Sequence, residues 1–129
     1  AYGIVPWQVQ RMYYRLVEAY KAKDPTRILK VCADLGHYVA DAHVPLHATL
    51  NYNGQLTNQH GIHSLLESRI PELFHESYDF VVGPAPLFAN PLSFIWEIVL
   101  QSAAAVDTVL RCEMEVRTLI PEDQRQVFI

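Results

Sequence analysis

The sequence predicts an all-α domain, a helical bundle of about four main helices with a polar loop between the second and third. Three observations carry this reading. Apolar residues recur at three- and four-residue steps over long stretches. Proline and Asn-Gly signals mark the breaks between those stretches. The intervening loop carries no strand pattern. At 129 residues the chain has the length of one domain, and no repeat, low-complexity tract or linker divides it. Residues 1–129 are therefore read as a single α-helical domain.

Pro6 to Lys23 reads as an amphipathic helix. Trp7, Val9, Met12, Tyr13, Leu16, Val17 and Tyr20 form its apolar side, and Arg11, Arg15, Glu18 and Lys21 its wet side. Asp24-Pro25 then supplies an N-cap and a first-turn proline for a second helix. That helix runs to Asp41 or Ala42 and carries Ile28, Leu29, Val31, Cys32, Leu35 and Val39. Pro45 ends it, because an interior proline loses a hydrogen bond and clashes with the preceding turn. Residues 48–60 are a polar loop in which Asn53-Gly54 marks a turn. A third helix begins near Gly61, carries Leu65, Leu66, Ile70, Leu73 and Phe74, and is kinked or divided at Pro71. Residues 82–91 form a proline-rich connector. Helical periodicity then runs from Leu92 to about Leu119, with small residues from Ser102 to Ala105 where another helix can approach closely. Pro121-Glu122-Asp123 suggests a short final turn.

Composition narrows the function. Half the residues are hydrophobic and 19% are charged, which excludes a disordered or solvating role. The net charge of −4 argues against broad, sequence-independent binding to nucleic acid, while leaving room for one strand held at a small metal site. The best apolar stretch, Phe94 to Leu100, is interrupted by Glu97, so no membrane span is expected. Ala1-Tyr2-Gly3 leads directly into a helix-like segment without a secretory signal, and reads as the start of a trimmed, processed or partial chain. Cys32 and Cys112 lie in separate apolar segments without a CxxC. Two buried free thiols are expected in preference to a helix-to-helix disulfide.

Five of the six histidines fall between residues 37 and 63. His37 and Asp41 are four residues apart on one helix, so both side chains project from the same face. Alone, such a pair is a helix-surface hydrogen bond. His63 and Glu67 repeat the spacing, and His47 stands between the two pairs, just after the Pro45 break. Five nitrogen and carboxylate donors within 31 residues suit zinc, against the blander reading of histidines bonded at helix ends. His47, His63 and Glu67 make a three-ligand set that leaves a position for water or substrate, whereas structural zinc is usually closed by four protein ligands. A two-histidine-one-carboxylate iron site fits the same three, but His37 and Asp41 then have no part. Adjacent zinc ions acidify water and neutralise phosphoryl oxygens, so the implied chemistry is metal-assisted hydrolysis of a phosphate ester. His60 is a weaker competitor for the metal. His43 points to another face, His75 is a surface residue, and the tyrosines and tryptophans are read as core.

Gly36-His37-Tyr38-Val39-Ala40-Asp41-Ala42-His43-Val44-Pro45-Leu46-His47 resembles the His-Tyr-x-Gly-Asp-x-x-(Gln)-Pro-Leu-His segment of the trinuclear zinc hydrolases. These are the zinc-dependent phospholipases C and the single-strand-specific nucleases. Gly61-Ile62-His63-Ser64-Leu65-Leu66-Glu67 resembles their second signature, and the carboxylate at Glu67 leans towards the phospholipase branch. The resemblance covers about a quarter of the chain. It implies that His37 and Asp41 bind one zinc, with Asp41 bridging to a second. His47, His63 and Glu67 bind the remaining zinc. Ala40 stands for the usual Gly and Val44 for the usual Gln.

Family enzymes complete three metals with an N-terminal Trp, an early His, and a further Asp and His. This chain has no histidine before His37, Trp7 is internal, and Asp24 and Asp34 are assigned to a helix cap and to solvent. The resemblance therefore implies the later portion of a family member, holding one or two zinc ions where the complete site holds three. The expected function is phosphodiester hydrolysis by metal-activated water in the whole protein, on a phospholipid or single-stranded nucleic acid, in a secreted or periplasmic setting. The fragment alone is expected to be inactive and open to self-association through exposed helix faces. The alternative is a non-catalytic helical module that binds metal or a partner.

Overall fold

A computed structural model describes residues 3–120, and every regular element among them is helical. The first helix, α1, spans Val5–Lys21 and buries Pro6, Val9, Met12 and Ala19. The second, α2, spans Pro25–Ala42, and the Asp24 carboxylate accepts from the Arg27 amide at 3.0 Å, as the N-cap signal predicts. A 3-10 turn, Pro45–Ala48, follows the proline break. Residues 49–61 form the polar loop without a strand.

The third helical stretch is continuous from α3 (Ile62–Ser64) through a π turn (Leu65–Arg69) to α4 (Ile70–Phe74). Pro71 explains the widened turn. In a regular helix its ring would collide with the Glu67 carbonyl four residues back. Here the Ile70 amide reaches back five residues to the Leu65 carbonyl, and the extra room lets the helix continue. The expected division at Pro71 thus takes the form of a bulge before the proline. Residues 78–90 connect to α5, Pro91–Leu119, whose start is capped by the Asn90 side chain accepting from Leu92 and Ser93 amides. The turn expected at Pro121–Asp123 lies outside the described residues.

At about 1.5 Å per residue, α5 is about 43 Å long and forms the spine of the fold. Its buried stripe, Pro91, Ile95, Ile98, Ser102 and Val106, advances by three and four residues. The core joins Ile95 and Ile98 to Val9 of α1 and Ala42 of α2. Ser102 shows why small residues are needed on this face. Its hydroxyl donates to the Ala42 carbonyl at 2.7 Å in a buried contact, satisfying one open carbonyl at the end of α2. Leu46, fully buried, packs the 3-10 turn into the same assembly.

Two expectations are corrected, and one feature of α5 goes beyond what its best apolar stretch indicates. Both cysteines are free but exposed, not buried. In α2 only Val31 and Ala42 are buried, so the packed stripe is narrower than the apolar run, and Cys32, one residue round from Val31, falls outside it. Cys112 lies beyond Val106, the last buried residue of α5. Trp7, Tyr14 and Tyr20 are also substantially exposed, because α2 and α5 cover only one stripe of α1. Trp7 meets Trp96 edge to face at 5.3 Å while keeping its outer side in solvent. Finally, α5 contains an 18-residue window of mean hydropathy 1.3, long and apolar enough by composition to cross a membrane.

Leu46 is the side chain through which the turn carrying His47 joins the core. We expect Leu46→Ala to destabilise the fold by about 2–5 kcal/mol, read from urea unfolding followed by circular dichroism. A loss below about 1 kcal/mol would contradict this anchoring role.

Candidate metal centre

The site is assembled where α2 ends. The Asp41 carbonyl accepts the Val44 amide at 3.1 Å, and the chain turns through Pro45 so that His47 comes back over the end of the helix. His47 Nδ1 lies 3.2 Å from that same Asp41 carbonyl oxygen. His63 is carried by α3, and its Nδ1 lies 3.1 Å from the Tyr52 carbonyl oxygen of the loop. A carbonyl can only accept, so each of these hydrogen bonds is donated by Nδ1–H, and Nε2 of each ring faces inward. The two Nε2 atoms face each other at 3.4 Å, with the rings stacked at an interplanar angle of 25°.

Glu67 completes the group from the π turn. Its two carboxylate oxygens lie 2.9 Å from His47 Nε2 and 3.3 Å from His63 Nε2. One donor atom from each of the three residues falls within 4.8 Å of the others, and the group could hold a metal ion. The helical spacing of His63 and Glu67 brings that pair together, while His47 arrives from a different element.

His37 and Asp41 form a separate pair, with His37 Nε2 3.4 Å from Asp41 Oδ2. The His37 side chain is 72% exposed. The other Asp41 oxygen lies 3.9 Å from His47 Nδ1, on the opposite edge of that ring from Glu67. The structure therefore brings three of the five predicted residues into one group and leaves two beside it. His43 donates through Nδ1 to the Val39 carbonyl at 2.8 Å and closes the end of α2. His60 is exposed and outside the group, and His75 bonds the Glu72 carbonyl on the surface.

Several supporting residues escaped the sequence reading. The Tyr52 carbonyl orients His63, but a main-chain oxygen leaves no signature in residue type. The loop that carries it is braced from within. Asn51, buried, donates to Thr57 Oγ1 at 2.9 Å and accepts from the Leu56 amide at 2.7 Å. Asn53 accepts from the Gly61 amide, where the chain enters α3. Gln59, 1% exposed, donates to the Leu110 carbonyl and to Glu113, pinning the loop to α5. Arg117 adds a bond to the Asn58 carbonyl while paired with Glu113. The asparagines read as turn formers, and Gln59 as one more polar loop residue. Their distant partners were not legible.

A groove of about 740 Å³ opens on Asp41, His47 and His63. Val5, Leu46, Trp96 and Val99 give it an apolar floor, and Leu50 and Tyr52 form its loop side.

Gly54 is the residue on which the brace turns. Its φ is +71°, and an added Cβ would stand 2.2 Å from the Gln59 carbonyl oxygen. We expect Gly54→Ala to lower stability by at least about 1–2 kcal/mol from the backbone conformation alone, measured by urea unfolding. An unchanged midpoint would show that the loop has another conformation of equal stability.

No protein-family model, curated protein or solved structure matches this chain.

Proposed function

We propose that His47, His63 and Glu67 bind zinc, and that this centre serves the hydrolysis of a phosphate ester. One observation carries the reading. The Nε2 atoms of two imidazoles and the Glu67 carboxylate are aimed at one another, with each Nδ1 bonded to a main-chain carbonyl. With the proton on Nδ1, a neutral imidazole offers its Nε2 lone pair to a metal ion. One donor atom from each of the three residues lies within 4.8 Å of the others, a spread that can close on one zinc ion with bonds of about 2.0–2.1 Å. Three protein donors leave a fourth position open, as in catalytic rather than structural zinc sites.

Bound there, zinc would supply a Lewis acid for phosphoryl oxygens and acidify water. The residues of the chain do the positioning. The Asp41 and Tyr52 carbonyls fix the imidazole orientations, and the apolar groove gives room for an ester with an apolar or planar group. That description suits a phospholipid or single-stranded nucleic acid, in keeping with the signatures around His37 to His47 and His63 to Glu67. His37 and Asp41 offer two further donors, so a second zinc would need ligands from elsewhere.

Purified protein should take up about one zinc per chain in elemental analysis after dialysis, and zinc should raise the thermal unfolding midpoint. We expect His47→Ala and His63→Ala each to weaken zinc by more than about 100-fold in chelator competition. Tight stoichiometric zinc in both variants would overturn the site. Zinc-dependent turnover of bis-p-nitrophenyl phosphate would support the hydrolytic part of the reading. A non-catalytic interaction module is favoured by a different observation, the exposure of large apolar residues such as Leu29, 73% exposed, and Leu100. Zinc binding without turnover, together with concentration-dependent association in light scattering, would select that reading.

A further inference from the structure

The cations of this acidic chain are unevenly placed. Residues 11–34 hold six of the ten Lys and Arg but three of the fourteen Asp and Glu, a surplus of three positive charges. The rest of the chain is correspondingly more acidic than the net charge of −4 indicates. This segment is the hairpin of α1 and α2, and its two helices enclose a groove of about 640 Å³. Arg15 enters it from α1, and Arg27 and Lys30 from α2. Met12 and Val31 form a buried floor, and the groove ends at His37 and Tyr38.

None of the three cations forms an ion pair among the described residues. Arg15 makes a single side-chain hydrogen bond, to the Met12 sulfur at 3.8 Å, leaving most of its donors open. Glu18, the nearest acid on α1, is engaged by Lys21 at 2.8 Å. That hydrogen bond and charge hold the Glu18 carboxyl below its ordinary range, with Arg27 adding attraction from farther away. Asp34 is the one acid lining the groove, and it makes no ion pair with Lys30. Arg27 and Lys30, three residues apart on one helix, repel each other. Arg27 also sits in the first turn of α2, where the helix dipole disfavours a cation. Three unpaired cations converging across a groove, one against the dipole, are an arrangement that an anion stabilises.

We propose that the α1–α2 groove is a binding site for a ligand carrying adjacent phosphate groups. The groove's length, with cations entering from both helices, suits linked phosphates, each oxygen group meeting a different cation. The arginine forks of Arg15 and Arg27 match phosphate oxygens in pairs. The choice of phosphate over another anion rests on the phosphoryl reading of the metal group, since the groove ends at His37, the partner of Asp41. The existence of an anion site does not rest on it.

The test is calorimetric titration of the metal-free chain with inorganic tripolyphosphate at low and high salt. Parallel titrations use the Arg27→Gln/Lys30→Gln double variant, Arg15→Gln and His63→Ala. We expect binding that falls with salt and weakens about tenfold or more in the double variant, while His63→Ala binds as the parent does. The substituted cations are exposed, and circular dichroism checks that the fold is kept. Loss of binding in His63→Ala with retention in the double variant would move the ligand to the metal group and overturn the proposal. Binding equal in all forms, or none at low salt, would overturn it as well. A parent that fails to bind zinc but loses tripolyphosphate in the double variant would sink the metal reading and leave the groove standing. Titration with oligothymidylate distinguishes a strand's phosphates from a free oligophosphate: tighter binding than tripolyphosphate supports a strand, weaker binding the free anion.

Discussion

The imidazoles of His47 and His63 are each tied through Nδ1 to a main-chain carbonyl, those of Asp41 and Tyr52, and the remaining architecture serves to hold those two carbonyls in place. Asp41 is the penultimate residue of α2, so its position depends on how that helix is seated. Ser102 seats it by bonding the neighbouring Ala42 carbonyl, and the core of Val9, Ile95 and Ile98 packs around the same point. Tyr52 belongs to the loop, which is held by Asn51 internally and by Gln59 against α5. The spine helix thus steadies both histidines from behind, through contacts that touch neither ring.

Glu67 meets both imidazoles, at 2.9 Å from His47 Nε2 and 3.3 Å from His63 Nε2, distances at which a shared cation or a proton on the ring nitrogen draws the groups together. The π turn bears on the same group. Glu67 lies within it, and the widened turn forced by Pro71 sets the angle at which the carboxylate meets both imidazoles. A backbone feature that serves a proline also serves the site.

Much of this was legible in the sequence. The 3.6-residue period gave α1, α2 and α5 their places, Asp24-Pro25 and Pro45 gave their ends, and the four-residue step paired His63 with Glu67. His47 was legible as a candidate ligand because a proline break just before it frees the chain to turn. What the sequence withheld depends on partners distant along the chain. Gln59 reads as one more polar loop residue until Leu110 and Glu113 are beside it. Tyr52 contributes a carbonyl that any residue would offer. Cys32 belongs to an apolar run, yet burial requires a neighbouring element on that side, and among the described residues none covers it. Arg15 and the pair Arg27 and Lys30 become one feature only when the α1–α2 turn lays the helices side by side.

The central claim is that this chain presents two imidazole nitrogens and one carboxylate oxygen to a single zinc ion. X-ray absorption at the zinc edge of the zinc-loaded protein tests it most directly. We predict a nitrogen and oxygen shell at about 2.0–2.1 Å, with outer-shell scattering from two imidazoles. Sulfur scattering at about 2.3 Å, or an oxygen shell without imidazole features, would contradict the account.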